Sequence, residues 1–414
     1  MKIIIKIHKI NETGDSFMKK RELKRIFAKF LMVGASVTLL TACNSGGETK
    51  EPAETTEETA PAEDAADDEA TEEVNYAQVF EEAKTELDKA KEGKEVDFDK
   101  VTDLYTNNLQ SLVQERDAEL ESKHDEQIIA ALQAGKDGSM DKVVAKQVFD
   151  KLMQKVFYTT MKHEFTEAAD NWADKEAVKA EVEEAKEFYA IIQSTVEKRD
   201  AAYETTMVDA IAGGFDEIDK AVEADDLLAF QLGKQVVDKT LIKTFYFAAG
   251  AIPNGYATKV ATEAVKDEQM AKVVQAEGWA FYQSVSKYLA NHAPEEAAFI
   301  EKQFDLQTDV KTVDAAQVNK AFVRGFAQTA IDEYKESMEA WGEDKSVITA
   351  LEGALFIDVI GQDIQTLLGE EAYTQLTEQA QQYLEASKAK DKAAGEPVLK
   401  ELEATLQSVI EKAK

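Results

Sequence analysis

Cysteine and histidine are nearly missing from this chain, with one Cys and four His among 414 residues. A single thiol excludes an internal disulfide framework. Four scattered histidines leave little material for a Ser–His–Asp triad or for a zinc site of the usual ligand count. No Gly-rich phosphate cradle, Gly-x-Ser-x-Gly elbow or His-Glu-x-x-His helix occurs either, and no motif implies a cofactor. Only Pro253, Pro294 and Pro397 lie beyond residue 75, so little in the body interrupts a helix. Positive charge is also scarce: the net charge is −33, and residues 1–42 hold nine Lys/Arg against three Asp/Glu, leaving the rest near −39. So acidic a body repels nucleic acid and anionic headgroups, and neither is an expected partner.

Long hydrophobic runs are missing too. The most apolar segment, Phe30 to Leu40, falls short of the roughly 20 residues that span a bilayer. It comes after Lys19, Lys20, Arg21, Lys24, Arg25 and Lys29 and ends in Leu40-Thr41-Ala42-Cys43. A basic start, a short apolar core and small residues at a cut site are the parts of a secretory signal. From Met18 to Cys43 the chain resembles the signal of bacterial lipoproteins. That resemblance implies cleavage between Ala42 and Cys43 and lipidation of the Cys43 thiol. It implies a protein lipid-anchored to the cell membrane on its extracytoplasmic face, and transfers no activity to residues 44–414. Acyl chains contribute about 0.8 kcal/mol per buried CH₂, so several anchor stably without a spanning helix. The polar stretch Asn11 to Asp15 is foreign to a signal, so translation is expected to start at Met18.

Residues 43–75 form the next span. From Ser45 to Val74 carboxylates crowd a segment with almost no large apolar residue and Lys50 as its sole base. It cannot bury enough surface to offset chain entropy, and its like charges extend it. A disordered acidic spacer is expected here.

Beyond it, Ala, Glu, Lys, Gln and Leu dominate, a helical composition. The segment Leu109 to Ala118 recurs at Ile192 to Ala201 with six of ten positions identical, and Lys146 to Tyr158 recurs at Lys234 to Tyr246 with eight of thirteen. A weaker third copy aligns Val318, Lys320, Phe322, Arg324 and Phe326 with Val237, Lys239, Leu241, Lys243 and Phe245. Phe149, Leu152, Met153, Val156 and Phe157 fall on one helical face. The predicted fold is all-α: an elongated helical-repeat body of three to four degenerate units of about 80 residues, longer than common solenoid repeats. The expected boundaries are 1–42 for the signal region, 43–75 for anchor and linker, and 76–170, 171–255, 256–340 and 341–414 for the repeats. Gly213-Gly214, Gly135 to Gly138 and Asn254-Gly255 read as loops between copies.

Three candidate sites arise. Glu184, Glu277 and Glu352 occupy matching places, each four residues before an aromatic and beside Ala or Gly. The matching bases on the other helix are Lys155, Lys243 and Arg324. They suit either register-fixing Glu–Lys/Arg pairs or an inter-helix site for a small ligand or cation, with a backbone close against the Gly or Ala. Glu121-Ser122-Lys123-His124 has the Glu-x-x-His spacing of di-iron bundles, but no second copy exists, so an exposed polar patch is the expectation. The aromatics Phe157-Tyr158, Phe245 to Phe247, Trp279 to Tyr282, Tyr288 and Trp341 suit a core, or a groove for a planar ligand.

Three functions fit. The first is a binding or scaffold module at the cell surface, since repeat bodies offer long surfaces, with a protein or small ligand as partner. The second is ligand capture, of a metal or metal chelate, for a transporter. The third is a hydrolase working through paired carboxylates.

Overall fold

The computed structural model describes residues 74–414, which form helices and connecting turns with no strand among them. The signal segment, Cys43 and all but the last two residues of the linker lie outside the described residues.

Helix α1 (Tyr76–Asp88) precedes four successive helix groups. In the first, α2 (Phe98–Leu104) runs through a π turn into α3 (Gln110–Leu120), and α4 (His124–Asp137) leads to the long α5 (Lys142–Asp170). The second repeats this with continuous helices: α6 (Lys175–Tyr203), α7 (Met207–Ala224) and α8 (Leu227–Ala249). The third breaks its opening helix into α9 (Tyr256–Glu263), α10 (Glu268–Tyr282) and α11 (Ser286–His292), continuing with α12 (Pro294–Phe304) and α13 (Ala315–Glu339). The fourth comprises α14 (Asp344–Val359), α15 (Gly361–Leu368), α16 (Glu370–Lys388) and α17 (Lys392–Lys412). The last helix of every group starts on an aspartate, Asp141, Asp226, Asp314 or Asp391, whose carboxylate accepts backbone N–H bonds from the first turn. Such a cap contributes about 1 kcal/mol.

The apolar stripe predicted on α5 faces inward throughout, with Phe149, Leu152, Met153, Val156 and Phe157 fully buried. Each such side chain contributes about 1.5–3 kcal/mol on leaving water. One connected core runs from Phe80 to Ala413. The groups do more than stack on immediate neighbours, because α5 packs on α6 and also α10, and α8 packs on α7, α10 and α14. Second-neighbour contact lets residues from several copies meet at one point.

Two expectations about glycine change. Gly213-Gly214 is no loop; it lies inside α7. A Cβ at Gly214 would stand 2.7 Å from Val237 Cγ2 and 3.3 Å from the Gly233 carbonyl, so the pair lets α7 and α8 cross closely. Gly135 is likewise buried inside α4, and Gly138 ends that helix at φ +81°. Beside the matched glutamates, Gly278 and Gly353 admit the rings of Phe304 and Tyr334, a side chain in each case and not a backbone.

Candidate functional site

A cleft of about 230 Å³ opens where α1 and the first group's α5 meet α6 of the second and α9 and α10 of the third. Helical spacing brings its lining together. Gln147, Asp150, Lys151 and Gln154 share one face of α5, Thr195, Lys198 and Arg199 one face of α6, and Glu277 and Phe281 are one turn apart on α10. Asp150 is the hub of the floor. It takes ion pairs from Lys146 at 2.5 Å and Lys151 at 2.9 Å and accepts from Gln154 Nε2 at 2.8 Å. Thr195 Oγ1 then donates to Gln154 Oε1 at 2.6 Å, joining the second group to the first. Burial alone would raise the Asp150 carboxyl, but Lys151 and Lys146 outweigh it and hold it well below the usual carboxylate range. At the rim, Lys91 pairs with Asp88 at 2.9 Å.

Arg199 differs from this paired floor. It is 7% exposed, its Nε and Nη1 have no hydrogen-bond partner among the described residues, and its Cζ lies 5.6 Å from the centroid of the Tyr256 ring. Burial pushes the Tyr256 phenol up, with the Glu277 carboxylate adding and the Arg199 guanidinium opposing. The repeat explains what is special here. Arg116-Asp117 and Arg199-Asp200 are matching dipeptides, and both aspartates cap the next helix: Asp117 accepts from Asp125 N, Asp200 from Met207 N and Val208 N. The arginines diverge. Arg116 meets Glu119 at 3.3 Å, whereas no carboxylate of the described residues comes within ion-pair distance of Arg199.

The matched glutamates and bases do not pair as their register suggests. Glu352 meets Lys239 at 3.1 Å, Lys243 meets Asp358 at 2.9 Å, and Arg324 forks onto Glu296. The cause is second-neighbour packing: α8 lies against α14, so Lys243 faces a fourth-group aspartate. Lys155 is buried between Asp117, Lys287 and Lys162, and burial pushes its ammonium down to about 8. Of the three glutamates, Glu277 alone lines the cleft. Glu184 converges with Glu164 and Glu181, their carboxylate oxygens within 4.8 Å of one another, the one such group of three among the described residues. Burial, with the hydrogen bond that protonated Glu164 donates to Glu181, pushes Glu164 up to about 8, so the cluster carries a proton near neutrality.

Glu121 and His124 do not share a helix. Glu121 adopts φ 53° where α3 ends, and His124 opens α4. His124 is also buried, not exposed, and burial with the nearby Lys155 pushes its imidazole down to about 4. His163 and His292 sit apart, beside Glu119 and Asp332. Most of the aromatics are core, Tyr158, Phe245, Tyr246 and Phe247 among them; Tyr256 and Phe281 alone reach the cleft.

A buried polar node ties all four groups together. Asp238 accepts from Tyr158 at 2.6 Å and from Tyr288 at 3.2 Å and pairs with Lys239 at 2.7 Å and Lys162 at 3.2 Å. Lys239 reaches on to Glu352, beside which burial and the Glu352 charge push Glu333 up to about 9. Asp150 and Asp238 are repeat partners. Sequence reasoning misses both, although the matching Asp-Lys dipeptides 150–151 and 238–239 are a usable signal.

Fold and site together define an all-α protein of repeated helix groups with a polar cleft between copies. Comparison with protein-family models, with curated proteins and with solved structures yields no match for the chain. Among the described residues no helix is long and apolar enough to cross a membrane.

Proposed function

We propose that the chain is a lipid-anchored, extracytoplasmic binding module that captures a small polar ligand in the cleft between its first three helix groups. The observation that carries this reading is the cleft itself, about 230 Å³ lined largely by polar and charged groups. Its walls come from different repeats, which are locked to one another by the Asp238 node. Rigid walls with convergent polar groups are what small-ligand recognition needs. A scaffold would need the surface of the repeats but not this concavity. Ligand capture for a transporter is the compatible cellular role. A bare metal ion suits the cleft poorly, since six of its lining residues are basic. The anchor rests on the resemblance of residues 18–43 to lipoprotein signals, and the acidic linker then serves as spacer.

The test has two parts. In a bacterial host, the full chain should fractionate with membranes and Cys43→Ala should not. A thermal-shift screen of the purified protein against metals, chelates, sugars, polyamines, amino acids, carboxylates and phosphates should raise the melting temperature for at least one class. Flat melting across the whole panel refutes ligand capture; a Cys43→Ala variant that stays with membranes refutes the anchor.

A further inference from the structure

We propose that the cleft binds its ligand through an oxyanion, a carboxylate or phosphate group, gripped by Arg199. This deepens the capture reading and rests on it. The case starts from a buried guanidinium whose Nε and Nη1 find no acceptor. Buried donors are ordinarily satisfied, and an orphaned charged one is costly. The duplicated chain supplies an internal comparison: Arg116, whose Nε also lacks a hydrogen bond, lies at ion-pair distance from Glu119, whereas Arg199 lines the cleft with no carboxylate of the described residues at that distance. A buried guanidinium with no carboxylate partner, at the copy that faces a concavity, suits an anionic ligand.

The surrounding charges agree. In a chain of net charge −33 the cleft lining carries six bases and only three acids. Asp150 is engaged by Lys146 and Lys151, and Asp88 by Lys91. Glu277 is the remaining carboxylate; its charge and that of Arg199 act on Tyr256 in opposite directions, and it stays outside ion-pair distance of Arg199. Arg199 and the rim residue Lys198 are therefore left without an ion-pair partner among the described residues. A guanidinium offers two parallel N–H groups that match the oxygen spacing of a carboxylate or phosphate. Ser194 and Tyr256 also line the cleft, and their hydroxyls are neutral donors for the remaining oxygens.

Calorimetric titration of the purified full chain at low ionic strength tests this. Sodium succinate and L-glutamate probe the carboxylate arm, inorganic phosphate and glycerol 3-phosphate the phosphate arm; glucose and putrescine are neutral and cationic controls. At least one oxyanion should bind, and more weakly as salt rises. Arg199→Gln should weaken that binding by about 10- to 100-fold, the worth of a bidentate charged contact, while Arg116→Gln leaves it unchanged. Arg199→Lys keeps the charge without the fork and should still lose about tenfold, which covers the case in which Arg199→Gln misfolds. Binding of glucose or putrescine but of no oxyanion overturns this inference and leaves capture standing. Oxyanion binding that survives Arg199→Lys overturns it too. Silence from all six probes overturns the oxyanion assignment, and only silence across the wider thermal-shift panel would also refute capture.

Discussion

Replacing Asp238 by Asn removes the acid at a point where all four helix groups meet. In the native chain its carboxylate faces Lys239 at 2.7 Å and Lys162 at 3.2 Å, and the Lys239 side chain is 1% exposed. Burial raises this carboxyl, yet the two lysines outweigh it and keep it ionised well below the usual range. Breaking a buried ion pair by removing one partner costs about 3–5 kcal/mol, because a charge stays behind unpaired. Lys239 keeps Glu352 at 3.1 Å, so the lower end, about 3 kcal/mol, is expected. With an unfolding entropy of about 2.1 cal/mol/K per residue over roughly 340 folded residues, that loss lowers the melting temperature by about 4 °C. The third group shows when an amide is tolerated at the matching place. Asn319 donates to Tyr246 at 2.9 Å and to Asp363 at 3.0 Å, while the adjacent Lys320 lies near the surface and reaches the Lys414 carbonyl. Asp238→Asn combined with Lys239→Met should therefore recover at least about 1 kcal/mol relative to the single change, a coupling typical of contacting residues. Thermal unfolding monitored by circular dichroism at 222 nm reads both. A single variant melting within about 1 °C of the native chain, or a double variant whose losses simply add, would refute the reasoning.

Buried groups and close helix crossings offer further tests. His124, held near 4 when folded against 6.5 in a free chain, makes the unfolded state bind the extra proton. Stability should fall as pH drops from about 6.5 to about 4, by up to about 3 kcal/mol, and His124→Asn should flatten that slope in urea titrations. Glu333, raised to about 9 from 4.5, has the opposite sign: the folded state keeps the proton, so stability falls as pH rises through that window. Glu333→Gln should raise the melting temperature at pH 8 and do little at pH 4.5; equal effects at both would contradict the shift. Gly214→Ala would ordinarily help a helix by about 1 kcal/mol, but here it drives a methyl into Val237 and the Gly233 carbonyl. A net loss of about 1–3 kcal/mol is expected, measured by denaturant midpoint.

Much of the architecture is legible in residue order because helices announce themselves locally. The i, i+3, i+4, i+7 stripe on α5 needs only neighbours along one helix, and every member of it is buried. The recurring Asp-Lys and Arg-Asp dipeptides are visible as repeats, but not their tasks. Gly213-Gly214 reads as a loop because glycine disfavours helices, and the packing against α8 overrides that local preference. Glu121 and His124 read as one helix turn because spacing alone does not reveal a left-handed residue between two helices. The matched Glu–Lys/Arg pairs fail since register comparison assumes that equivalent residues face equivalent partners. α5 reaches α10 just as α8 reaches α14, so a base on the last helix of one group meets acids two groups further on, and the partners cannot be read from register within a copy.

Sequence by itself determined the helical class, the repeated unit, the inward faces and the shortage of thiol and imidazole chemistry, because each derives from composition or from periodicity within a single helix. Tertiary structure alone decided which charges meet. It joined Tyr158, Asp238, Tyr288 and Glu352 from four groups into one node, and it left Arg199 facing a cleft while its duplicate Arg116 found Glu119. The reason is physical: burial along a helix repeats every turn, whereas an ion pair depends on which second helix arrives opposite, and duplication preserved the first without constraining the second.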